Sequence, residues 1–575
     1  MSTREPKRTK NFDRRLWRRF WSIAKPYWFQ DEKWTARCLL ALLILLLLGR
    51  TEFVVLFNQL SGEFTSALAA KDGVRFWHTM RVFGIVLLVA VPIYAFYYYL
   101  RDRISISWRR WLTYHFLSKY FKDRTFYQLT FNRTIDNPDQ RMSDDINTFT
   151  QKSMLFLLDM VSAVLQLIAF SGILWSISRT LVLFLVVYAI LGTVVTFGVF
   201  GKPLIGLNFQ QLRREADFRF SLIRIRENAE AIAFYQGEVQ EATQVKQRFS
   251  EVFGNYKKLI KRTLGLSFFQ YGYSFATLIV PCIIIAPRVL SGELEVGRVV
   301  QAAGAFTAML TALTVFVENF EVLSAFAAGI ERLHAFSESL AVRSPADTKL
   351  GDTLDRLEQP RLELDRVTLQ TPNYQRTLIT DVSLAVDQGQ GLLISGPSGG
   401  GKSSLLRAIA GLWNSGSGTI MRPNLEQMLF LPQHPYMILG TLRSQLLYPV
   451  IDREVSDEEF SQVLQQVNLP DIVERCGGFD AEIDFVKMLS VGEQQRLAVA
   501  RALLTKPSYV VLDEATSALD VENEQRLYLQ LKATSSTLIS VAHRSTLLRH
   551  HEQVLEIMGD GTWNLSQAKD YKIDG

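Results

Sequence analysis

The hydrophobic positions of this chain fall into two distinct patterns. Long apolar runs crowd residues 35–325, whereas the residues beyond about 345 carry short apolar runs separated by polar turns. Six of the long runs approach the ~20 residues that a helix needs to cross a ~30 Å hydrocarbon core. These six runs lie at 36–58, 79–100, 154–176, 181–201, 266–290 and 299–320. The pattern predicts an α-helical domain of six membrane spans followed by a soluble α/β domain.

The basic residues between the spans predict the orientation of the chain. Residues 1–35, 101–153 and 202–262 carry ten, ten and twelve Lys plus Arg, and the short loops between the other spans carry one to three each. Because basic segments stay on the cytoplasmic side, both termini and the long loops after spans two and four are expected there. The basic start also lacks a signal-peptide cleavage pattern. We therefore expect a multi-pass integral membrane protein with both termini in the cytoplasm.

The segment before the first span mixes aromatic and basic residues. Residues 12–29 combine Trp17, Phe20 and Trp21 with several arginines. This composition suits a helix lying among lipid headgroups. A basic flank that only sets the topology explains it equally well. Binding of nucleic acid is disfavoured because the arginines adjoin a membrane span.

Composition supports a membrane protein with a soluble part. The 575 residues are 48% hydrophobic and 21% charged, with a net charge of +6 and a mean hydropathy of +0.09. Such a chain is too apolar to be disordered. Its three cysteines have neither the number nor the spacing of a disulfide framework or a zinc site.

A phosphate-binding motif opens the chemistry of the soluble half. Residues 392–395 read as a buried strand, and they lead through G-x-x-x-x-G-K-S into a helical pattern. Glycines let backbone N–H groups surround phosphates, while the lysine reaches the β and γ phosphates and the serine offers a hydroxyl to Mg²⁺. The expected nucleotide-binding residues are Gly396, Pro397, Ser398, Gly399, Gly400, Gly401, Lys402, Ser403 and Ser404.

Two later strands end in residues that suit ATP hydrolysis. Asp513 and Glu514 follow an apolar strand and lie 111 and 112 residues after Lys402. Asp513 is expected to hold Mg²⁺ and Glu514 to polarise the attacking water as general base. His543 follows another strand and is expected to contact the γ phosphate.

One further segment, Leu489-Ser-Val-Gly-Glu-Gln-Gln-Arg496, resembles the LSGGQ signature of ABC transporters. Gln433 matches the Q-loop of that family, and Ser517-Ala-Leu-Asp520 matches its D-loop, so the resemblance covers 361–558. Val491 stands where the signature usually has glycine, and Glu493 replaces glutamine. The sequence then divides into a basic segment at 1–35, a transmembrane domain at 36–340, a linker at 341–360 and an ABC ATP-binding domain at 361–575.

The resemblance implies roles and a partner. In this family two ATPase domains enclose two nucleotides, each between the P-loop of one subunit and the signature of the other. A homodimer with ATP and Mg²⁺ as cofactors is therefore expected. The implied catalytic residues are Glu514, His543, Lys402 and Gln433, and the implied metal ligands are Ser403, Gln433 and Asp513. The segment Ser490, Val491, Gly492 and Glu493 would meet the partner's nucleotide, and Asp520 belongs to the D-loop.

Several segments resemble the D subfamily and its bacterial relatives that take up cobalamin, bleomycin or antimicrobial peptides. Two of them, 136–141 and 227–235, fall in the inward loops, where the resemblance implies helices that couple the two domains. The implied coupling residues are Asn137, Pro138, Asp139, Gln140, Glu227 and Glu230.

For Arg50, Glu52 and Tyr374 the sequence leaves two interpretations open. Arg50 and Glu52 interrupt the first span, which indicates either a water-filled translocation path or snorkelling to an interface. Threonine occupies position 371, where many relatives place an adenine-stacking aromatic residue. Tyr374 is either its substitute or a surface residue.

We expect an ATP-driven transporter that works as a homodimer in the lipid bilayer and binds no nucleic acid. The resemblance to bacterial relatives implies a bacterial cytoplasmic (inner) membrane, with the ATPase domain in the cytoplasm. The resemblance favours import of a bulky solute such as cobalamin or a peptide. A fatty acyl or other lipid-like substrate is the alternative cargo. An ATP-gated channel or a membrane-tethered regulatory ATPase is the alternative from another functional class.

Overall fold

The computed structural model describes residues 12–30, 33–131, 138–318, 320–341, 354–372 and 374–571. Its contacts divide the chain into two compact units, Met1–Val342 and Arg343–Gly575. The described part of the first unit is helical, and the second combines sheets with helices.

Long helices form the first unit. They are α1 (Phe12–Phe29), α2 (Lys33–Ala69), α3 (Gly73–Phe121), α4 (Thr125–Phe131), α5 (Pro138–Gln140), α6 (Ile146–Ile177), α7 (Arg179–Val195), α8 (Lys202–Glu227), α9 (Ala229–Phe234), α10 (Glu238–Leu290), α11 (Gly297–Glu318) and α12 (Phe320–Ala341). Turns of π-helix at Arg141–Asp145 and Thr196–Gly201 lead into α6 and α8.

The six predicted spans are confirmed. Six helical segments of the described chain are long and apolar enough to cross a membrane, and they correspond to α2, α3, α6, α7, α10 and most of α11. Several exceed a membrane's thickness: α10 has 53 residues, about 80 Å at 1.5 Å per residue. The turn between the third and fourth spans is a single extended residue, Ser178, whose hydroxyl accepts the Leu181 N–H at 3.3 Å.

Helix α1 has one buried and one exposed face. Ile23, Ala24 and Tyr27 are buried, and the Tyr27 ring stacks on Trp108 of α3 at 5.7 Å. Trp17 and Trp21 lie on the exposed side, 67% and 47% accessible. Amphipathic aromatic residues beside arginines favour the headgroup interpretation of this segment.

An ion-pair cluster joins α6 to α12. Asp145, which is 5% exposed, accepts hydrogen bonds from Arg141 at 3.0 Å and from the Arg332 guanidinium at 2.6 and 3.1 Å. Because a buried carboxylate is costly unless it is paired, these two arginines stabilise the junction that leads into α6.

The second unit contains two main sheets and a two-stranded ribbon. The strands are β1 (Leu354–Glu358), β2 (Leu362–Gln370), β3 (Thr377–Val386), β4 (Leu392–Ser395), β5 (Gly416–Arg422), β6 (Met428–Leu431), β7 (Gly440–Thr441), β8 (Glu482–Ile483), β9 (Tyr509–Asp513), β10 (Thr537–Val541), β11 (Gln553–Ile557) and β12 (Trp563–Gln567). Strand β1 falls in the predicted linker 341–360, yet it pairs in parallel with β5. The first sheet therefore begins before residue 361.

The larger sheet aligns the ends of its parallel strands. Its order is β12-β11-β4-β10-β9-β6, and all neighbours except β12 and β11 are parallel. Carboxyl ends of parallel strands share one edge, which is where such sheets bind ligands. The helices are α13 (Lys402–Ile409), α14 (Leu442–Leu447), α15 (Asp457–Gln466), α16 (Ile472–Cys476), α17 (Phe485–Met488), α18 (Val491–Thr505) and α19 (Val521–Ala533).

Candidate nucleotide site

A glycine-rich loop joins β4 to α13. Gly396 has a φ of 132°, and a Cβ there would lie 2.1 Å from the Ile557 carbonyl oxygen of β11. Gly401 has a φ of 109° and caps α13. Only glycine combines such backbone angles with this close approach, so the loop that the sequence predicted has the conformation of a phosphate cradle.

The lysine of this loop is buried within it. Lys402 is 6% exposed, and its Nζ donates to the Gly396 and Pro397 carbonyl oxygens at 2.8 and 2.9 Å. Burial lowers the pKa of Lys402, and the carboxylates of Glu514 and Asp513 oppose that shift. The ammonium group is thus positioned over the loop.

The remaining predicted phosphate-binding residues complete the loop. Ser398 and Gly399 form the exposed tip of the loop, and the Gly400 N–H donates to the Pro397 carbonyl. Ser404 follows on α13, partly exposed.

Two oxygen donors converge beside the lysine. The Ser403 hydroxyl donates to Asp513 Oδ1 at 2.9 Å, although 110 residues separate them. Burial raises the pKa of Asp513, while the Ser403 hydrogen bond opposes that shift. Mg²⁺ prefers hard oxygen ligands, which is the chemistry that this pair offers. The predicted metal residues Ser403 and Asp513 therefore fit a magnesium ion.

Three strand ends bring the predicted hydrolytic residues together. Gln433 follows β6, Glu514 follows β9 and His543 follows β10. The Gln433 amide donates to Glu514 Oε2 at 2.8 Å, and His543 Nε2 lies 3.5 Å from Glu514 Oε1. Neighbouring positions of β6, β9 and β10 in the sheet cause this convergence.

The backbone of Glu514 is strained. Its φ is 50°, a left-handed conformation that is uncommon for a residue with a side chain. Its N–H donates to the Val541 carbonyl of β10 at 3.1 Å, and its carbonyl accepts the Ser517 N–H at 3.1 Å. These bonds hold the strained residue at the sheet edge, as is common at functional sites.

The signature segment begins α18 with a reciprocal cap. The Ser490 hydroxyl accepts the Glu493 N–H at 3.3 Å, and the Glu493 carboxylate accepts the Ser490 N–H at 2.9 Å. Arg475 donates to Glu493 at 2.5 Å. Burial raises the pKa of Glu493, but the bonds from Arg475 and Ser490 outweigh burial and lower it to about 2. Glu493, which replaces the usual glutamine of the signature, thus has a charged partner.

The other departure, Val491, lies on the surface. It is 46% exposed and occupies the first turn of α18. Gly492 approaches the D-loop, since a Cβ there would lie 3.3 Å from the Ala518 carbonyl oxygen. Asp520 caps α19 by accepting the Asn523 N–H at 2.8 Å, a bond that lowers the pKa of its carboxyl.

Sequence reasoning missed two residues that join the predicted loops. Gln495 is 1% exposed, donates to the Gln433 carbonyl at 3.1 Å and accepts the Ala518 N–H at 3.1 Å. Arg544 donates to the Leu519 carbonyl at 2.9 Å. The sequence shows that Gln495 belongs to the signature segment and that Arg544 follows His543. Their hydrogen bonds could not be predicted, because those depend on the fold.

Tyr374 occupies the turn between β2 and β3. Its φ is 56°, it is 46% exposed, and its N–H donates to the Thr371 carbonyl at 2.8 Å. The turn leads to Leu378 and Ile379, which lie within 3.5 Å of a Cβ built on Gly401. The tyrosine is therefore close in sequence to residues that adjoin the phosphate loop.

The predicted coupling residues lie at helix ends of the first unit. Pro138, Asp139 and Gln140 form the short α5, whereas Asn137 lies outside the described residues. Glu227 ends α8, and Glu230 lies on α9. Both glutamates are exposed.

The charges of the first span have different surroundings. The Arg50 guanidinium lies over the rings of Tyr94, Tyr97 and Tyr98 at 5.4, 5.1 and 6.0 Å. Glu52 is exposed on the described chain. Cation–π contacts partly compensate the cost of an arginine in a membrane span.

Comparison with known proteins agrees with both halves. Residues 24–290 match the family model described as ABC transporter transmembrane region 2, and residues 379–517 match the model described as ABC transporter. The chain resembles a bacterial Atm1-family ABC exporter with ATP bound, with a TM-score of 0.73, 18% identity and coverage of 93% of this chain and 96% of that one. This likeness supports the fold.

Two sequence relatives narrow the family. The chloroplastic ABC transporter D family member 2 of Arabidopsis thaliana is 38% identical over 94% of this chain and 86% of its own length. The lysosomal cobalamin transporter of Homo sapiens is 31% identical over 93% of this chain and 94% of its own. With its six apolar helices and its ABC ATP-binding domain, this chain belongs to the D subfamily of ABC transporters.

Proposed function

We propose that this chain is a homodimeric, Mg²⁺-dependent ATPase that drives a solute across a bacterial cytoplasmic membrane. The observation that carries the proposal is the convergence of Gln433, Glu514 and His543 at one sheet edge. We propose 36–340 as the transmembrane domain and 361–575, with β1 added before it, as the ATP-binding domain.

The nucleotide phosphates bind the loop from Gly396 to Ser404. Lys402 faces the β and γ phosphates, and Ser403, Asp513 and Gln433 supply oxygen ligands for Mg²⁺. That ion neutralises charge on the phosphates when it is bound. Glu514 accepts a proton from the attacking water, while Gln433 and His543 orient the Glu514 carboxylate. Tyr374 stacks on the adenine.

The second subunit completes each site. Ser490 and Gly492 at the start of α18 approach the γ phosphate bound to the partner, because a helix N-terminus favours an anion. Val491 and Glu493 flank that contact. Asp520 holds the D-loop through its cap on α19. We expect lower turnover than a glycine at 491 would give, since a branched side chain occupies a close approach.

Closure of the ATPase domains reaches the membrane through two segments. They are Asn137 to Gln140, of which Pro138–Gln140 form α5, and Glu227 to Glu230, where α8 leads into α9. The solute is a bulky one such as cobalamin or a peptide, moving inward. The similarity to a lysosomal cobalamin transporter supports cobalamin as the first solute to test. Arg50 and Glu52 line the translocation path.

The experiment combines hydrolysis with transport. The full chain is reconstituted in proteoliposomes, and ATPase activity and uptake of cobalamin, a peptide and a fatty acyl compound are measured. Glu514→Gln should lower ATPase activity by about 10²–10⁴-fold and abolish transport, because loss of a general base has that size. Glu522→Gln, an exposed glutamate on α19, is the control.

Each outcome is decisive. Substantial ATPase activity in Glu514→Gln would refute the role of the base. ATP-independent flux would indicate a channel, and ATPase activity without flux of any solute would indicate a regulatory ATPase. Uptake of only the fatty acyl compound would replace the proposed cargo.

A further inference from the structure

A cavity lies between α3 and α6 of the first unit. Its volume is about 430 Å³. Arg101 directly follows the predicted span 79–100, and Lys152 lies two residues before the span 154–176. The cavity therefore lies at the membrane edge that the basic loops predict to be cytoplasmic. Its walls include Arg101, Asp102, Arg109, Asn147, Lys152 and Leu155.

The lining carries surplus positive charge. Three of its side chains are cationic, and Asp102 supplies the single carboxylate. Asp102 is already paired with Arg101 at 2.9 Å. Within the described ranges, the side chains of Arg109 and Lys152 make no hydrogen bond or ion pair. Two cations at a membrane edge thus have no carboxylate of the described chain to neutralise them.

The other polar groups of the wall also include donors. Gln151 donates to Asn147 Oδ1 at 3.0 Å, which orients the Asn147 amide NH₂ group as a donor. Ser105 is 8% exposed and its hydroxyl donates to the Arg101 carbonyl. Ile106 and Leu155 supply an apolar margin. The combination suits an anionic group attached to an apolar or neutral body.

The positive surface continues toward the membrane interior. The Tyr98 ring lies 5.0 Å from the Arg101 guanidinium and 6.0 Å from that of Arg50. Asp159 of α6 interacts electrostatically with both arginines. It does not line the cavity, so the unpaired charge is concentrated at Arg109 and Lys152.

We propose that this cavity binds the phosphate group of an anionic ligand at the cytoplasmic edge of the membrane. A phosphate monoester carries close to two negative charges at neutral pH, which matches three cations opposed by one carboxylate. Guanidinium groups bind phosphate oxygens through paired hydrogen bonds, and an ammonium adds a point charge. Arg109 and Lys152 are the principal ligands, and Arg101 is a third ligand weakened by Asp102.

The phosphate has two sources with the same chemistry. It belongs either to the transported solute or to the headgroup of an anionic lipid in the same leaflet. The first source rests on the proposed transport function and narrows the cargo to phosphate-bearing solutes. The second makes the cavity a lipid site that the transporter requires from its membrane.

Binding to the full chain distinguishes these sources. Phenyl phosphate is titrated calorimetrically into protein held in phosphatidylcholine nanodiscs with ADP present, so that the P-loop contributes equally in all variants. Retention of phosphatidylglycerol is measured by native mass spectrometry. The double variant Arg109→Gln/Lys152→Gln should weaken binding of at least one probe tenfold or more. Arg103→Gln, an exposed arginine outside the lining, should bind as wild type.

The probe that loses binding in the double variant identifies the source of the phosphate. Loss of phenyl phosphate binding assigns the cavity to a solute anion, loss of phosphatidylglycerol alone assigns it to a lipid, and loss of both shows a site open to either. Unchanged binding of both probes, or equal loss in Arg103→Gln, would overturn the proposal.

Two further controls separate charge from folding. The charge-retaining variant Arg109→Lys/Lys152→Arg should keep binding within about threefold. If the double variant elutes as an aggregate, Lys152→Gln alone is compared with Lys152→Arg, and equal binding by these two would also overturn the proposal. Binding of phenyl phosphate and retention of phosphatidylglycerol are measured without ATP hydrolysis. They therefore test the cavity even if the Glu514→Gln experiment refutes the proposed function.

Discussion

The nucleotide site and the cavity between α3 and α6, which we call the cationic cavity, differ in how their charged groups are held. Lys402 donates to two carbonyls of its own loop. Ser403 donates to Asp513, and Gln433 donates to Glu514 across the sheet edge. In the described part of the membrane unit, Arg109 and Lys152 have no such partners. The first site is defined by geometry and the second by charge.

This difference predicts two kinds of sensitivity. A site built from close backbone approaches should fail when a single atom is added, even if no charge changes. A site built from surplus charge should tolerate changes of shape and respond to each charge removed or added. Charges that are already paired within the chain should affect stability rather than ligand binding.

The largest effect is expected from Gly396→Ala. The added Cβ would lie 2.1 Å from the Ile557 carbonyl oxygen, so β4 and β11 would have to separate and the phosphate loop would shift. ATP affinity should fall by about 100-fold or more, equivalent to about 3 kcal/mol. Equilibrium binding of a fluorescent ATP analogue to the purified chain measures this change.

Gly399→Ala is the matched control for that loss. Gly399 also has a positive φ, 76°, but nothing lies within 4 Å of a Cβ built there. Backbone strain of about 1–2 kcal/mol should weaken binding by about tenfold. Equal losses in the two variants would show that strain, and not the close approach to β11, controls the loop.

The second-largest effect is expected on stability, where paired charges hold the membrane unit together. Asp145→Asn removes the carboxylate that holds Arg141 and Arg332, and it should lower the unfolding free energy by about 2–3 kcal/mol. We place this below the usual value for a buried pair because Arg332 is 45% exposed. Thermal unfolding of the chain in detergent measures the loss. The exposed neighbour Asp144→Asn should change it by less than about 0.5 kcal/mol.

Motifs that are continuous in sequence could be predicted before the structure was known. The P-loop is defined by adjacent residues, and its glycines have the required backbone angles. The six spans were predictable because membrane thickness fixes the length of an apolar run. The contact between Gln433 and Glu514 was not, since it depends on the pairing of β6 with β9.

The cationic cavity shows why sequence reasoning ends at such contacts. Arg101, Arg109 and Lys152 were counted among basic residues that orient the membrane domain. Arg101, Ser105 and Arg109 recur every four residues, so their common helix face was a usable signal. Lys152, however, reaches this face only because α6 packs beside α3. No local spacing predicts that packing.

A smaller effect is expected at Glu493, which is paired with Arg475. Glu493→Gln keeps the helix cap but removes the ion pair, so the unfolding free energy should fall by about 1 kcal/mol and the melting temperature by about 2–4 °C. Because the pKa of Glu493 is lowered to about 2, its stabilisation is complete above the ordinary pKa of about 4.5 and is lost as pH falls towards 2.

Melting curves between pH 7 and pH 3 test this sign. The difference between wild type and Glu493→Gln should shrink as the pH falls below about 4.5. Glu482→Gln, an exposed glutamate of β8, should show no comparable difference at any pH. A difference that grows on acidification would contradict the ion pair.

The smallest effect should be a gain at the cationic cavity. Among the described lining residues, Asp102 has the only carboxylate, and Asp102→Asn removes it and releases Arg101 from its 2.9 Å ion pair. Because Asp102 is exposed, the pair is worth at most about 1 kcal/mol, and phenyl phosphate should bind about threefold more tightly. The gain should shrink at high salt, since screening weakens exposed charges. Asp217→Asn, an exposed acid on α8, should leave binding unchanged. Weaker binding in Asp102→Asn would mean that this carboxylate orients Arg101 for the ligand, and the cavity would then share the geometric character of the nucleotide site.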